Sequence, residues 1–312
     1  MKNALVVIIT LLISVVLLEV GLRVKNLNMR NYDIEMWKYS KELKFRSDDP
    51  VLGHEHVKND TAVLQSTEFR TNSFGMRGAE PRDDADRRIL FLGSSITLGW
   101  GVAEEDTMTV LLDEALGTET EVLNAGIGNY NAVRYIHAFL KSGKVLEPTD
   151  IVVHYFVNDA EKLDQGRDSW LLRNSQLAVM GWIMVQRINA MFSGGDLVSH
   201  YQAVYAEDAP GYREAREALA DLANYANEND VRLYFTMVPD VHNLADYKFG
   251  FIHDKMKSVA DGLGVPYIDL LPAFKGITDP QEVWAMPGDP HPNAMGHRLM
   301  AEYLKPRLDL NN

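Results

Sequence analysis

Apolar positions fall along this chain in three textures. The first is one continuous run: residues 4–18 hold only Thr10 and Ser14 as polar positions, and Glu19 ends it. The second, residues 31–86, is polar and irregular, punctuated by Ser47-Asp48-Asp49-Pro50 and Asn72-Ser73-Phe74-Gly75. It reads as a segment wrapped around a neighbouring domain. The third begins near Arg88, where short apolar runs alternate with amphipathic stretches. Runs at 89–92, 122–124, 151–156, 233–238 and 267–270 suit strands buried on both faces. Helical spacing predicts helices over 107–116, 132–141, 212–227, 251–263 and 293–304, with Gly117 and Gly264 as stops and Asn293 as an N-cap. Such alternation predicts a mostly parallel sheet of about five strands covered by helices on both faces, with the ligand at the carboxyl ends of the strands. No internal repeat is visible.

One stretch interrupts the alternation. An apolar insertion at about 165–205 lies between the third and fourth strands, with 177–185 at its centre. It suits a core helix, or else a lid or membrane-facing helix beside the site.

As a helix, 4–18 spans about 22 Å at ~1.5 Å per residue, short of the ~30 Å of a hydrocarbon core. Continuing to Val24 supplies the length and places Glu19 and Arg23 near an interface. Residues 1–30 therefore read as a signal-anchor or transmembrane segment. A cleaved signal peptide is the rival, but no small-x-small cleavage site is evident in Leu18-Glu19-Val20-Gly21-Leu22-Arg23. Three basic residues follow the run and only Lys2 precedes it, so positive-inside counting does not favour export of the body.

Composition narrows the function classes. The 312 residues are 46% hydrophobic and 24% charged, ordinary for a folded globular chain. Net charge is −13, and residues 1–30 carry +3, so the body is strongly acidic and nucleic acid is an unsuitable partner. The absence of cysteine removes disulfides, thiolate metal sites and a Cys nucleophile.

Four strand ends carry chemistry. The first runs into Gly93-Ser94-Ser95-Ile96-Thr97-Leu98-Gly99, where a tight strand-to-helix turn would lift a serine off the sheet beside backbone N–H groups. The second ends in Asn124 to Asn131, with Gly126-x-Gly128 but no third glycine, so it does not complete a dinucleotide fingerprint. The third ends in Phe156-Val157-Asn158-Asp159, whose Asn158 amide could cap a turn or donate to an oxyanion. Near the C-terminus stands Asp289-Pro290-His291-Pro292-Asn293. His291 could act as general base, with Asp289 fixing its tautomer. Asp289, His291 and His297 are too few ligands for a metal site. His54, His56 and His154 read as structural or solvated.

Together these blocks resemble the SGNH, or GDSL-type, hydrolases over about residues 70–307. The family's Gly-Asp-Ser-x-x-x-Gly is similar to 93–99, with Ser94 in the Asp position and Ser95 as nucleophile. Its oxyanion glycine aligns with Asn129, beside Gly128. Its Gly-x-Asn-Asp resembles 156–159, with Phe156 in the Gly position and Asn158 kept. Its Asp-x-x-His is one residue shorter here, as Asp289-Pro290-His291. Thr71-Asn72-Ser73-Phe74-Gly75-Met76-Arg77-Gly78 also resembles bacterial members with an N-terminal hydrophobic anchor, many of which face the periplasm.

The resemblance implies a flavodoxin-like three-layer α/β/α domain over 87–312 and ester hydrolysis without cofactor or metal. Ser95, Asp289 and His291 would be catalytic, with Ser95, Gly128, Asn129 and Asn158 holding the oxyanion. It further implies a small-molecule or glycan ester as substrate and a membrane-anchored domain outside the cytoplasm. Two alternatives stay open: an O-acyltransferase acting on cell-envelope polysaccharide, and a non-catalytic, membrane-tethered assembly protein.

Overall fold

The computed structural model describes residues 2–27, 31–163, 169–193 and 196–309. Helix α1 (Lys2–Asn26) carries the N-terminal apolar run, and its side chains are exposed apart from Glu19, Leu22 and Asn26. It is long and apolar enough to cross a membrane, and is consistent with a membrane anchor.

The next segment is α2 (Tyr32–Glu42), then a hairpin of β1 (Lys44–Arg46) and β2 (His54–His56), then a hairpin of β3 (Thr61–Leu64) and β4 (Thr67–Arg70). Too few apolar residues are spread along it to set up a legible period. Those present converge: Tyr39, Leu43, Ala62, Leu64 and Phe69 form one cluster with Leu98 and Trp100 of the following domain. Burying each of the large apolar side chains among these contributes roughly 1.5–3 kcal/mol, which straps the segment to its neighbour.

That domain is a five-stranded parallel sheet in the order β6-β5-β7-β8-β9. In chain order it runs β5 (Arg87–Gly93), α3 (Ser95–Leu98), α4 (Met108–Leu116), β6 (Thr120–Gly126), α5 (Ala132–Ser142) and β7 (Asp150–Phe156). After α6 (Trp170–Asn174), α7 (Gln176–Ser193) and α8 (Leu197–Val204) come α9 (Pro210–Glu228), β8 (Arg232–Val238), α10 (Gly250–Leu263) and β9 (Tyr267–Asp269). A small hairpin of β10 (Trp284–Met286) and β11 (Asp289–Pro292) leads into α11 (Ala294–Asp309).

The two-residue period of a strand sorts the core into two layers. Leu90, Leu92, Ile151 and Val153 pack under α5, α9 and α10, whereas Ile89, Phe91 and Val152 pack under α4 and α11. This is the sheet covered on both faces that the alternation predicts, and the three-layer α/β/α, flavodoxin-like fold that the resemblance implies. Strands β5 and β6 start two residues before their apolar runs. Their polar first residues still pair along the ladder and are tied sideways, Arg88 to Glu121 at 2.6 Å and Arg87 to Asp150 at 2.8 Å.

The apolar insertion is not a core helix. In α7 only Val179 and Gln176 are buried among the described side chains, and Trp182, Met184, Val185 and Ile188 are exposed.

Candidate active site

Strands β6 and β5 end level, Gly93 pairing with Gly126, and β7 runs two residues further, from the His154 that pairs with Gly93 on the other side to Phe156. The chain leaves β5 into α3, a single turn closed by Gly99 at φ 77°. This turn sits directly on the sheet edge because two glycines admit it. A Cβ on Gly93 would lie 1.9 Å from Thr97 Oγ1, and one on Gly126 would lie 2.4 Å from the Leu98 backbone nitrogen. Asn124 holds the turn from below, donating from Nδ2 to Thr97 O at 2.7 Å and accepting from the Gly126 N–H at 3.0 Å.

Ser95 opens that turn, and its Oγ lies 2.8 Å from His291 Nε2. His291 Nδ1 in turn lies 2.5 Å from Asp289 Oδ1. The short Asp-Pro-His spacing is accommodated because both residues stand on β11 and the Asp289 carboxylate folds back, also accepting the His291 N–H at 3.2 Å. Burial pushes the Asp289 carboxyl upward. Hydrogen bonds and charge from His291, with a further bond from Gln65, outweigh it and hold the group below the usual carboxylate range. With Asp289 ionised, Nδ1 carries the imidazole proton, and Nε2 is left to accept from the Ser95 hydroxyl. The cap of the last helix comes instead from Asn293, whose Oδ1 accepts the Gly296 N–H at 3.1 Å.

The turn after β6 is the second component. Asn129 adopts a left-handed conformation, φ 66°, and its N–H has no protein acceptor among the described residues. The Gly128 N–H, by contrast, is donated to Tyr39 Oη at 2.9 Å. Of these two backbone donors only that of Asn129 is open. Asn158 lies in the turn after β7, where its backbone carbonyl accepts the Glu161 N–H at 2.9 Å and its side-chain oxygen is buried without a partner among the described residues. The neighbouring Asp159 points into the core. His297 is buried beneath the site and accepts the Met108 N–H at Nδ1, 3.0 Å. Among the described residues, no group of three or more His, Cys, Asp or Glu side chains is placed to hold a metal ion.

Several residues near the site give no signal in the sequence because they come from the wrapping segment. Tyr32, at the start of α2, stacks on the His291 ring at 6.0 Å between centroids. Gln65 occupies the β3–β4 turn at φ 50°, a conformation costly for a side-chain-bearing residue. It is held by a 2.7 Å bond from its N–H to Glu35 and donates to Asp289 Oδ2 at 3.2 Å. Lys44 and His54 both reach the carbonyl of Gly128, at 2.8 and 2.9 Å. The polar, irregular texture of 31–86 marked it as a wrapping segment, and 71–78 resembles anchored relatives, but neither pointed to these side chains.

A family model described as the GDSL-like lipase/acylhydrolase family matches residues 91–299. Among curated protein sequences, none matches the chain. Solved structures resemble it at low identity. LAE5, an alpha/beta hydrolase enzyme from the metagenome of Lake Arreo, Spain, is 16% identical at TM-score 0.48, covering 73% of this chain and 97% of its own. The psychrotrophic esterase EstA from Pseudoalteromonas sp. is 14% identical at TM-score 0.45, covering 73% and 100%. TesA is 16% identical at TM-score 0.47, covering 72% and 99%.

Proposed function

Because the chain belongs to the GDSL-like lipase/acylhydrolase family, we propose that it is a serine esterase working through an acyl-enzyme on Ser95. The observation that carries this reading is the continuous chain from Ser95 Oγ to His291 at 2.8 Å and from His291 to Asp289 at 2.5 Å. Ser95 Oγ attacks the ester carbonyl as His291 Nε2 takes its proton, and ionised Asp289 stabilises the imidazolium. The carbonyl oxygen becomes an oxyanion held by the N–H groups of Ser95 and Asn129 and by the Asn158 amide. An N–H in the first turn of a helix has no intrahelical partner, so the Ser95 donor is available. Collapse expels the alcohol, which leaves with the proton from His291. Water then repeats the sequence on the acyl-enzyme.

A fluorophosphonate probe tests this, since it traps only an activated serine. The expected result is stoichiometric labelling and turnover of p-nitrophenyl acetate, both lost in Ser95→Ala. An unlabelled, folded wild-type protein would make it a non-catalytic member of its family.

A further inference from the structure

Helix α7 contains no acidic residue, and Arg187 is its single charged one. With α6 it presents Trp170, 77% exposed, Leu171, Trp182, Met184, Val185 and Ile188 on the outside of the molecule. An acidic, otherwise polar surface does not carry such a patch without something to cover it.

The cover is indicated by what holds the helix. The first turn of a helix has N–H groups with no intrahelical partner. In α7 two of them are satisfied by a residue of α1, and that of Ala178 by Ser175 Oγ at 3.1 Å. Glu19 accepts from the N–H groups of Gln176 and Leu177, both at 3.0 Å, and from Ser175 Oγ at 2.9 Å. Arg23 donates to Asn174 O at 2.6 Å, and Asn26 to Gln176 Oε1 at 2.8 Å. A span beginning at Lys2 fills ~30 Å of hydrocarbon in about 20 residues. Counted from Lys2, Glu19 comes ~25 Å along the span, just inside its far interface, and Arg23 and Asn26 come at ~32 and ~36 Å, at headgroup level, so α7 starts at that boundary when α1 crosses a bilayer. Exposed tryptophans at this depth match the interfacial preference of that side chain.

Beneath α7 runs a cleft of about 580 Å³. Met36 and Trp37 of α2 and Val179, Trp182 and Ile183 of α7 line it along with Asn129, and Asp33, Lys41 and Arg173 add charge to its lining. The same α2 begins at Tyr32, stacked on His291. A chain attached to a carbonyl at Ser95 would thus run between α2 and the outward-facing helix.

We propose that α6–α7 lies in the headgroup layer of the membrane that α1 crosses, and that the cleft it roofs takes the acyl ester of a membrane-borne amphiphile from that layer. The substrate class rests on the esterase reading; the membrane contact does not. The full-length chain is reconstituted in phosphatidylcholine vesicles with brominated acyl chains. Tryptophan quenching is expected in the wild type and should be smaller in Trp170→Phe. Met184→Glu with Val185→Glu, both outside the cleft lining, should lower turnover of a vesicle-borne long-chain ester at least tenfold. Turnover of dissolved p-nitrophenyl acetate and the thermal transition should stay unchanged. Equal quenching in wild type and Trp170→Phe means that the patch faces a protein or solvent, and overturns the membrane contact. If both esters are turned over as in the wild type, the membrane route to the cleft is overturned. If the wild type turns over neither ester, the esterase reading falls, and the quenching still decides where the helix lies.

Discussion

Two adjacent residues, Asn158 and Asp159, separate a role in the reaction from a role in the fold. If the Asn158 amide donates to the oxyanion, its bond strengthens as charge develops, so its loss lowers kcat more than it raises KM. Removing one such donor costs roughly 10²–10³ in kcat, and Asn158→Ala is expected in that range while still folding. Asn158→Asp should be at least as damaging, since an ionised carboxylate cannot donate and repels the oxyanion. Normal kcat in the Asp variant would reduce Asn158 to a turn residue. Asp159 is fully buried and accepts from Tyr135 Oη and the Phe156 N–H, both at 3.0 Å. Burial raises its carboxyl to about 8. Between its unfolded pKa, about 4, and 8 the folded chain holds a proton that the unfolded chain has released. Stability from this group therefore falls as pH rises, by up to ~1.4 kcal/mol per unit. Urea midpoints measured from pH 5 to pH 8 should fall more steeply in the wild type than in Asp159→Asn. Parallel curves would show that the carboxyl titrates normally.

At the scale of elements, the ends of β5, β6 and β7 were legible in the sequence because apolar runs mark buried parallel strands and polar or glycine residues mark where they stop, whereas the hairpin of β10 and β11, which carries Asp289 and His291, has no such run and was not. Gly93, Gly126 and Asn129 announce turns, and the structure adds why the first two must be glycine: another backbone or side chain occupies the Cβ position. What holds the turns was not legible, because a clamp formed across 74 to 89 residues has no local period. Lys44 is the central case. Its amine is buried over the Tyr39 ring at 4.0 Å and donates to Gly128 O and Asn129 Oδ1, both at 2.8 Å. Burial lowers its affinity for a proton, yet either protonation state supplies the two N–H donors. The Gly128 carbonyl and the Asn129 N–H belong to one peptide unit, so donation to the first polarises the second. Lys44→Met should therefore lower kcat about tenfold, less than the ~10² of losing a donor outright, with KM little changed and phosphonylation slowed in proportion. His54→Leu removes the second donor to the same carbonyl and should act more weakly in the same direction. A fall in melting temperature with kcat unchanged in both variants would assign the clamp to stability alone.

On the scale of the whole molecule, the chain is a sheet domain completed by a strap and preceded by a long apolar helix consistent with a membrane anchor, and these attachments differ in kind. The strap shares a hydrophobic cluster with Leu98 and Trp100 and touches His291, Asp289 and Gly128, so it cannot leave without dismantling the site. Among the described residues, α1 adds no side chain to any of the hydrophobic clusters and is joined through polar contacts of Glu19, Arg23 and Asn26 with α6–α7. Deleting residues 1–30 should therefore leave a water-soluble protein that melts cooperatively and turns over p-nitrophenyl acetate. The loss should fall on α7. Removing a cap costs about 0.5–2 kcal/mol, and α7 has little buried surface with which to offset it. Limited proteolysis of the truncated chain should cut within 169–193 well before the sheet domain is attacked, whereas the full chain in vesicles should resist there. Glu19→Gln in the full chain keeps the anchor but weakens the cap, and should give an intermediate rate of cutting. Collapse of the sheet domain on truncation would make α1 part of the fold, and unchanged cutting within α7 would mean that Glu19 does not hold it.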